Sequence, residues 1–174
     1  MTGPLLALSL AITNVCGGGV CAPAGMDEVP ALLAPAPALP QLTGIVAKAM
    51  EYLGVRYRLG GSNPDRGIDC ANLIRLVFRA ERGVDLPWSA AELFRQGVSI
   101  ATGHLQPGDL VFFKNTYKRG ISHVGLYIGQ GRFVHAASRK HGVIVSPLSA
   151  PYYHSRFAGA RRILEPGESV ASGG

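Results

Sequence analysis

The chain of 174 residues is 47% hydrophobic, which suits one globular domain with appendages, and its 23 glycines and 12 prolines argue against long helices. Its formal charge is +6, yet all 17 Lys and Arg lie between Lys48 and Arg162 beside only seven acids, so that stretch carries +10. This balance favours an acidic partner, either nucleic acid or the carboxylates of the bacterial wall, and no nucleic-acid-binding motif accompanies it.

Residues 1–25 stand apart. "GPLLALSLAI" is an apolar run of signal-peptide length, too short to span a bilayer, and small residues follow it in "CGGGVCAPAG". No Lys or Arg precedes the run. A cleaved leader is the preferred reading, with a lipid on Cys16 or Cys21 as the alternative. Cleavage at or beyond Cys21 leaves Cys70 as the one remaining thiol, unable to form an internal disulfide in an exported chain. Residues 26–40 form a Pro/Ala-rich linker. The folded domain is assigned to residues 41–164, and the Gly/Ser-containing tail 165–174 reads as disordered.

Within the domain, helices precede strands. "TGIVAKAMEYLG" places Ile45, Val46, Ala49, Met50 and Leu53 on one helical face, with Gly54 as the stop. "CANLIRLVFRAERG" turns Leu73, Ile74, Val77 and Phe78 inward and Arg75, Arg79 and Arg82 outward. Asp69 caps its start and Gly83 ends it. "SAAELFRQG" opens with Ser89 and Glu92 in capping-box spacing. Strands follow in "LVFF", "SHVGLYIGQGRFVHAAS" as a hairpin, "GVIVSPL" and "FAGARRIL". The order argues an α+β fold with an antiparallel sheet.

Cys70 falls in the first turn of its helix, where free backbone N–H groups and the positive dipole end favour a thiolate and should lower the thiol pKa. A nucleophile also needs a base and a group to orient that base. Alternation along the hairpin sends Val124, Leu126 and Ile128 to the core and His123, Gly125 and Tyr127 the other way. A three-residue loop "GQG" would pair residue 128 with 132 and 125 with 135, bringing His135 onto the face of His123. A two-residue loop would separate the histidines unless a bulge intervened. Gly125 would leave room for a helix end beside His123. A free cysteine is more often a buried packing residue, and a single strand histidine is usually unremarkable. Two histidines that meet one geometric condition, together with one thiol in an exported chain, point to catalysis. Zinc ranks lower, because tight ligand spacings are missing. His104, His141 and His154 read as surface residues.

"YRLGGSNPDRGIDCANLIRLVF", "DLPWSAAELFRQGV", "LQPGDLVFF", "SHVGLYIGQGRFVHA" and "GARRIL" resemble, in order and spacing, the NlpC family of bacterial cell-wall cysteine endopeptidases. The resemblance implies a papain-like α+β core, with N-terminal helices and the cysteine at a helix start packed on a central antiparallel sheet. It implies cleavage of peptidoglycan stem peptides, commonly between γ-D-glutamate and a diamino acid such as diaminopimelate. By the same resemblance Cys70 matches the nucleophile, His123 the base and His135 its orienting partner. Tyr57 matches an oxyanion-stabilising tyrosine, and Asp69 an acid that holds the free amine of the stem in some members. No cofactor or metal is implied; the chain is expected to be a monomer, exported to the periplasm or beyond, without a membrane span. Two departures stand out. Asp69-Cys70-Ala71-Asn72 replaces the usual Asp-Cys-Ser-Gly, so a serine hydroxyl is missing and Asn72 adds bulk toward the groove. Trp88 follows Leu86-Pro87 where arginine is common, either packed or lining a subsite. A catalytically weak or inactive wall-binding module of the same fold is the alternative function.

Overall fold

A computed structural model describes residues 44–163. The leader, the linker and the tail assigned above lie outside the described residues. Four short helices and eight strands alternate along this span: α1 (Ile45–Met50), β1 (Ser62–Asn63), β2 (Gly67–Ile68), α2 (Cys70–Arg82), α3 (Ala90–Leu93), β3 (Val98–Ile100), β4 (Leu110–Lys114), β5 (Ile121–Gly129), β6 (Arg132–Ser138), β7 (Gly142–Pro147), α4 (Pro151–His154) and β8 (Phe157–Arg162). Six strands form one antiparallel sheet in the order β3-β8-β4-β5-β6-β7. No helix among the described residues is long and apolar enough to cross a membrane.

The longest helix, α2, forms where the periodicity placed it. Asp69 is extended and accepts from the Asn72 N–H, satisfying one of the donors orphaned at a helix start. Gly83, at φ +65°, takes the left-handed conformation that closes the other end. Leu73, Ile74, Val77 and Phe78 are buried against the sheet. Helix α1 is shorter than expected: it ends at Met50, and Leu53 is 42% exposed rather than on the buried face. The chain leaves the helix there through turns to Gly54, whose N–H bonds to Val143 O on β7 at 2.9 Å. Ser89 caps α3 as expected, accepting from the Glu92 N–H, while the Glu92 carboxylate accepts from the Ser89 hydroxyl instead of its backbone N–H.

The sheet has two covered faces. Leu110, Phe112, Val124, Leu126, Val134, Ala136 and Val143 meet the helices. Val111, Phe113, Tyr127, Phe133 and Ala160 face the other way, under Leu148, Tyr153 and Phe157. Burial on both sides explains why the central strand β4 reads as an unbroken apolar run rather than an alternating one.

The β5–β6 hairpin corrects one expectation and retains its consequence. The loop is not three residues long: Gly129 pairs with Arg132 across Gln130 and Gly131, and the register shifts between Tyr127 and Gly129. Gln130 takes a left-handed φ of 53° and Gly131 one of 67°, as a two-residue hairpin turn requires. The irregularity at Ile128 restores the parity that the turn alone would break. Beyond it Tyr127 pairs with Phe133 and Leu126 with Val134, which sets Gly125 level with His135.

Candidate active site

Among the described residues the β5–β6 pairing ends at Leu126–Val134. His123, Val124 and Gly125 stay bonded to β4, where Phe113 pairs with His123, and Gly125 remains beside His135. The backbone N–H groups of Val124, the residue after His123, and of Ala71 and Cys70 itself lie near enough to the Cys70 sulfur to pull its pKa downward. A side chain on the helix-covered face is thus brought next to a strand whose histidine points to the opposite face.

The two imidazoles lie on one face, as the parity argument requires. His123 Nε2 and His135 Nδ1 are 2.8 Å apart, with the rings nearly perpendicular at 85°. Gly125 makes this approach possible, though not in the way its spacing implied. The room its missing side chain leaves is taken by the Phe133 ring and the flank of His135, not by a helix end; a Cβ there would stand 2.5 Å from Phe133 Cδ2 and 3.2 Å from His135 Cβ. His135 is fully buried, between Phe133 at 4.5 Å and Tyr153 at 5.1 Å between ring centres. Its outer nitrogen, Nε2, reaches Ser146 Oγ at 3.0 Å. If Ser146 accepts from His135 Nε2–H, then His135 Nδ1 accepts from His123 Nε2–H, and His123 Nδ1 is left bare as a proton acceptor.

Burial sets the protonation states. His123 is held down to about 4 by burial, and His135 to about 2 by burial and then by the charge on His123. Both rings are neutral at pH 7. Cys70 departs from the expectation of a lowered thiol. Burial pushes it up to about 12 and the Asp69 carboxylate adds to this, while the three N–H groups at the sulfur pull downward without prevailing. The resting site is a neutral thiol beside a neutral imidazole pair.

Asp69 is buried, and its hydrogen bonds run inward. Oδ1 accepts from the Asn72 N–H at 2.8 Å and Nδ2 at 3.1 Å, and Oδ2 from the Gly60 N–H at 2.8 Å. It therefore ties the start of α2 to the loop that follows Tyr57. That loop is also bound through Arg58 N–H to Ile68 O and Ile68 N–H to Arg56 O, which sets Tyr57 beside the helix start. Burial, and then the charges of Cys70 and Asp69, raise the Tyr57 hydroxyl to about 12, so it remains a donor. Asn72 does not narrow the groove. It is 2% exposed, held between Asp69 and Arg75. Trp88 is neither packed in the core nor in the groove lining: it is 62% exposed and lies face-on to the Arg75 guanidinium at 3.4 Å.

A hollow of about 300 Å³ opens over His123, lined also by Tyr57, Thr116, Tyr117, Arg139, Tyr152 and Tyr153. Cys70, 4% exposed, is not in that lining, but a thiolate there would raise the hydroxyls of both Tyr57 and Tyr117 further, which places its sulfur near both. Sequence reading missed Ser146, Tyr117, Arg139, Tyr152 and Tyr153. Ser146 shares a face of β7 with the half-buried Ile144 and carried no motif; Tyr152 and Tyr153 arrive on α4, a four-residue helix begun by Pro151, too short for periodicity to register. His104, His141 and His154 are exposed, as expected.

A thiol at a helix start with two hydrogen-bonded histidines on a neighbouring strand pair, in an α+β sheet, defines a class, and the comparisons agree. Residues 54–162 match the NlpC/P60 family, and the chain belongs to it. It is 46% identical over 118 residues to the gamma-DL-glutamyl hydrolase of Bacillus subtilis, covering 68% of this chain and 28% of that protein. It is 43% identical over 122 residues to the murein DD-endopeptidase MepS/murein LD-carboxypeptidase of Escherichia coli, covering 69% of this chain and 62% of that one. The chain thus spans less than two thirds of either relative. The crystal structure of an NlpC/P60 family protein from Bacillus cereus superposes with a TM-score of 0.66 at 31% identity, over 73% of this chain and 41% of that one. The papain-like α+β architecture expected from the sequence is the one observed.

Proposed function

We propose that the protein is a cysteine endopeptidase that cuts stem peptides of peptidoglycan outside the cytoplasm, next to γ-D-glutamate. The observation that carries this is the 2.8 Å contact of His123 Nε2 with His135 Nδ1, on the strand whose Val124 N–H lies near the Cys70 sulfur. The family relatives named for murein and γ-glutamyl hydrolysis support the substrate class.

In this reading Cys70 Sγ attacks the carbonyl carbon of the scissile amide as its proton passes to His123 Nδ1. Because burial keeps both groups neutral at rest, that transfer accompanies attack instead of preceding it. His135, anchored by Ser146, holds the ring and stabilises the imidazolium. The Cys70 N–H and the Tyr57 hydroxyl bond the oxyanion. His123 then protonates the leaving amine, and the C–N bond breaks to leave a thioester on Cys70. Water, deprotonated by His123, attacks the thioester; a carboxylate leaves and the thiol is restored. Asp69 serves by fixing the Tyr57 loop to the helix start.

Digestion of purified sacculi, with mass spectrometry of the fragments, tests this. New amine termini are expected from the native chain and none from Cys70→Ala. The burial of Cys70, a residue only 4% exposed, favours one other reading, a wall-binding module without activity. In that case the chain sediments with sacculi and releases no fragment.

A further inference from the structure

The hollow over His123 has one fully charged group in its lining. Arg139, exposed just beyond the end of β6, borders it together with Tyr57, Tyr117 and Tyr152, and no carboxylate lines it. Among the described residues Arg139 makes no hydrogen bond or ion pair. Its chain position is held firmly all the same. Ser138 pairs with Gly142 across the β6–β7 turn, and Ser138 Oγ bonds His141 Nδ1 at 3.0 Å, so the turn presents Arg139 from an ordered base. The guanidinium is near enough to the Tyr57 hydroxyl to oppose the rise in its pKa. Arg139 therefore acts on the same space as the groups that surround the sulfur.

We propose that Arg139 binds a free carboxylate flanking the scissile bond and so makes the enzyme selective for stem peptides that are not amidated there. This rests on the endopeptidase reading above. A guanidinium presents paired donors that match a carboxylate and no longer match it once it becomes a carboxamide. Two such carboxylates flank the bond: the α-carboxylate of γ-linked glutamate, a short aliphatic chain from the scissile carbonyl, and the distal carboxylate of diaminopimelate on the amine side. The tyrosines around Arg139 supply hydroxyl donors and flat apolar walls for the intervening methylenes. Burial raises the Tyr57 and Tyr117 hydroxyls, so those two stay uncharged donors and the carboxylate contact is left to the arginine.

Three synthetic stem peptides test this with the full chain: the free acid, the form with an α-carboxamide on glutamate, and the form with a carboxamide on the distal carboxyl of diaminopimelate. Steady-state constants are measured for the native chain, Arg139→Ala and Arg139→Lys, with unchanged thermal midpoints as the folding control. The expected result is a loss of about tenfold in kcat/KM, mostly in KM, when one amide is introduced. Arg139→Ala should lose a similar factor on the free acid and little more on that amide, and Arg139→Lys should fall between. The amide that shows this names the carboxylate. Losses from Arg139→Ala and from each amide that simply multiply would overturn the inference while leaving the endopeptidase intact. A native chain that cuts none of the peptides and releases nothing from sacculi overturns both.

Discussion

Acid should destabilise this domain through the two histidines, and the effect can be sized. In an unfolded chain each imidazole takes its proton near 6.5. In the folded domain His123 does so only at about 4 and His135 at about 2. Between these values the native state binds fewer protons than the unfolded one, so stability present above pH 6.5 is lost as the pH falls. At roughly 1.36 kcal/mol per pH unit, each ring costs about 3 kcal/mol by pH 4, and His135 continues the loss below that. The pair together removes about 6 kcal/mol, comparable with the whole stability of many domains, about 5 to 15 kcal/mol. Urea unfolding followed by far-UV circular dichroism, at pH steps from 7 to 4 and constant ionic strength, measures this directly. His135→Gln removes one titrating ring and should flatten the dependence by about half. Stability that stays level between pH 6.5 and 4, or an unchanged slope in the variant, would refute the claim that the pair is buried and neutral.

Three further outcomes follow from single contacts. Gly125→Ala forces a methyl to within 2.5 Å of Phe133 and 3.2 Å of His135. It should cost about 1 to 3 kcal/mol in urea unfolding and lower turnover of muropeptides by displacing His135. Ser146→Ala leaves His135 Nε2 buried without its 3.0 Å partner, costing about 1 to 2 kcal/mol and lowering kcat more than it raises KM. Asp109, 1% exposed, accepts from Arg162 Nε at 2.7 Å and Nη2 at 2.9 Å and from the Gln106 N–H at 2.8 Å. Asp109→Ala should therefore cost about 3 kcal/mol in the same unfolding assay and, outside the lining of the hollow over His123, change KM little.

What the sequence made legible was whatever depends on local pattern. The Asp69 cap, the apolar stripe of α2 and the Gly83 stop are each decided within one or two turns of chain, and each is where the pattern put it. The parity of the two histidines was legible too, because strand alternation fixes it, even though the turn that delivers it is two residues with a bulge. The Cys70 thiol was misjudged because a helix start is a local feature and burial is not: the core that covers Cys70 is assembled from strands far along the chain, which only folding brings to it. Asn72 likewise looked like groove bulk in isolation, but its amide is spent on Asp69 and Arg75. Ser146 and Tyr153 come from β7 and α4, far along the chain, and only the folded sheet brings them to His135.

The most direct measurement is capture of the covalent intermediate. A soluble muropeptide is mixed with the chain, quenched in acid within milliseconds to seconds, and the protein is digested and weighed. The acyl half of the substrate should appear as a thioester on the peptide containing Cys70, and Cys70→Ala should neither acquire it nor release the leaving amine. Cleavage at the native rate by Cys70→Ala, or an acyl group carried on any other residue, would contradict the account.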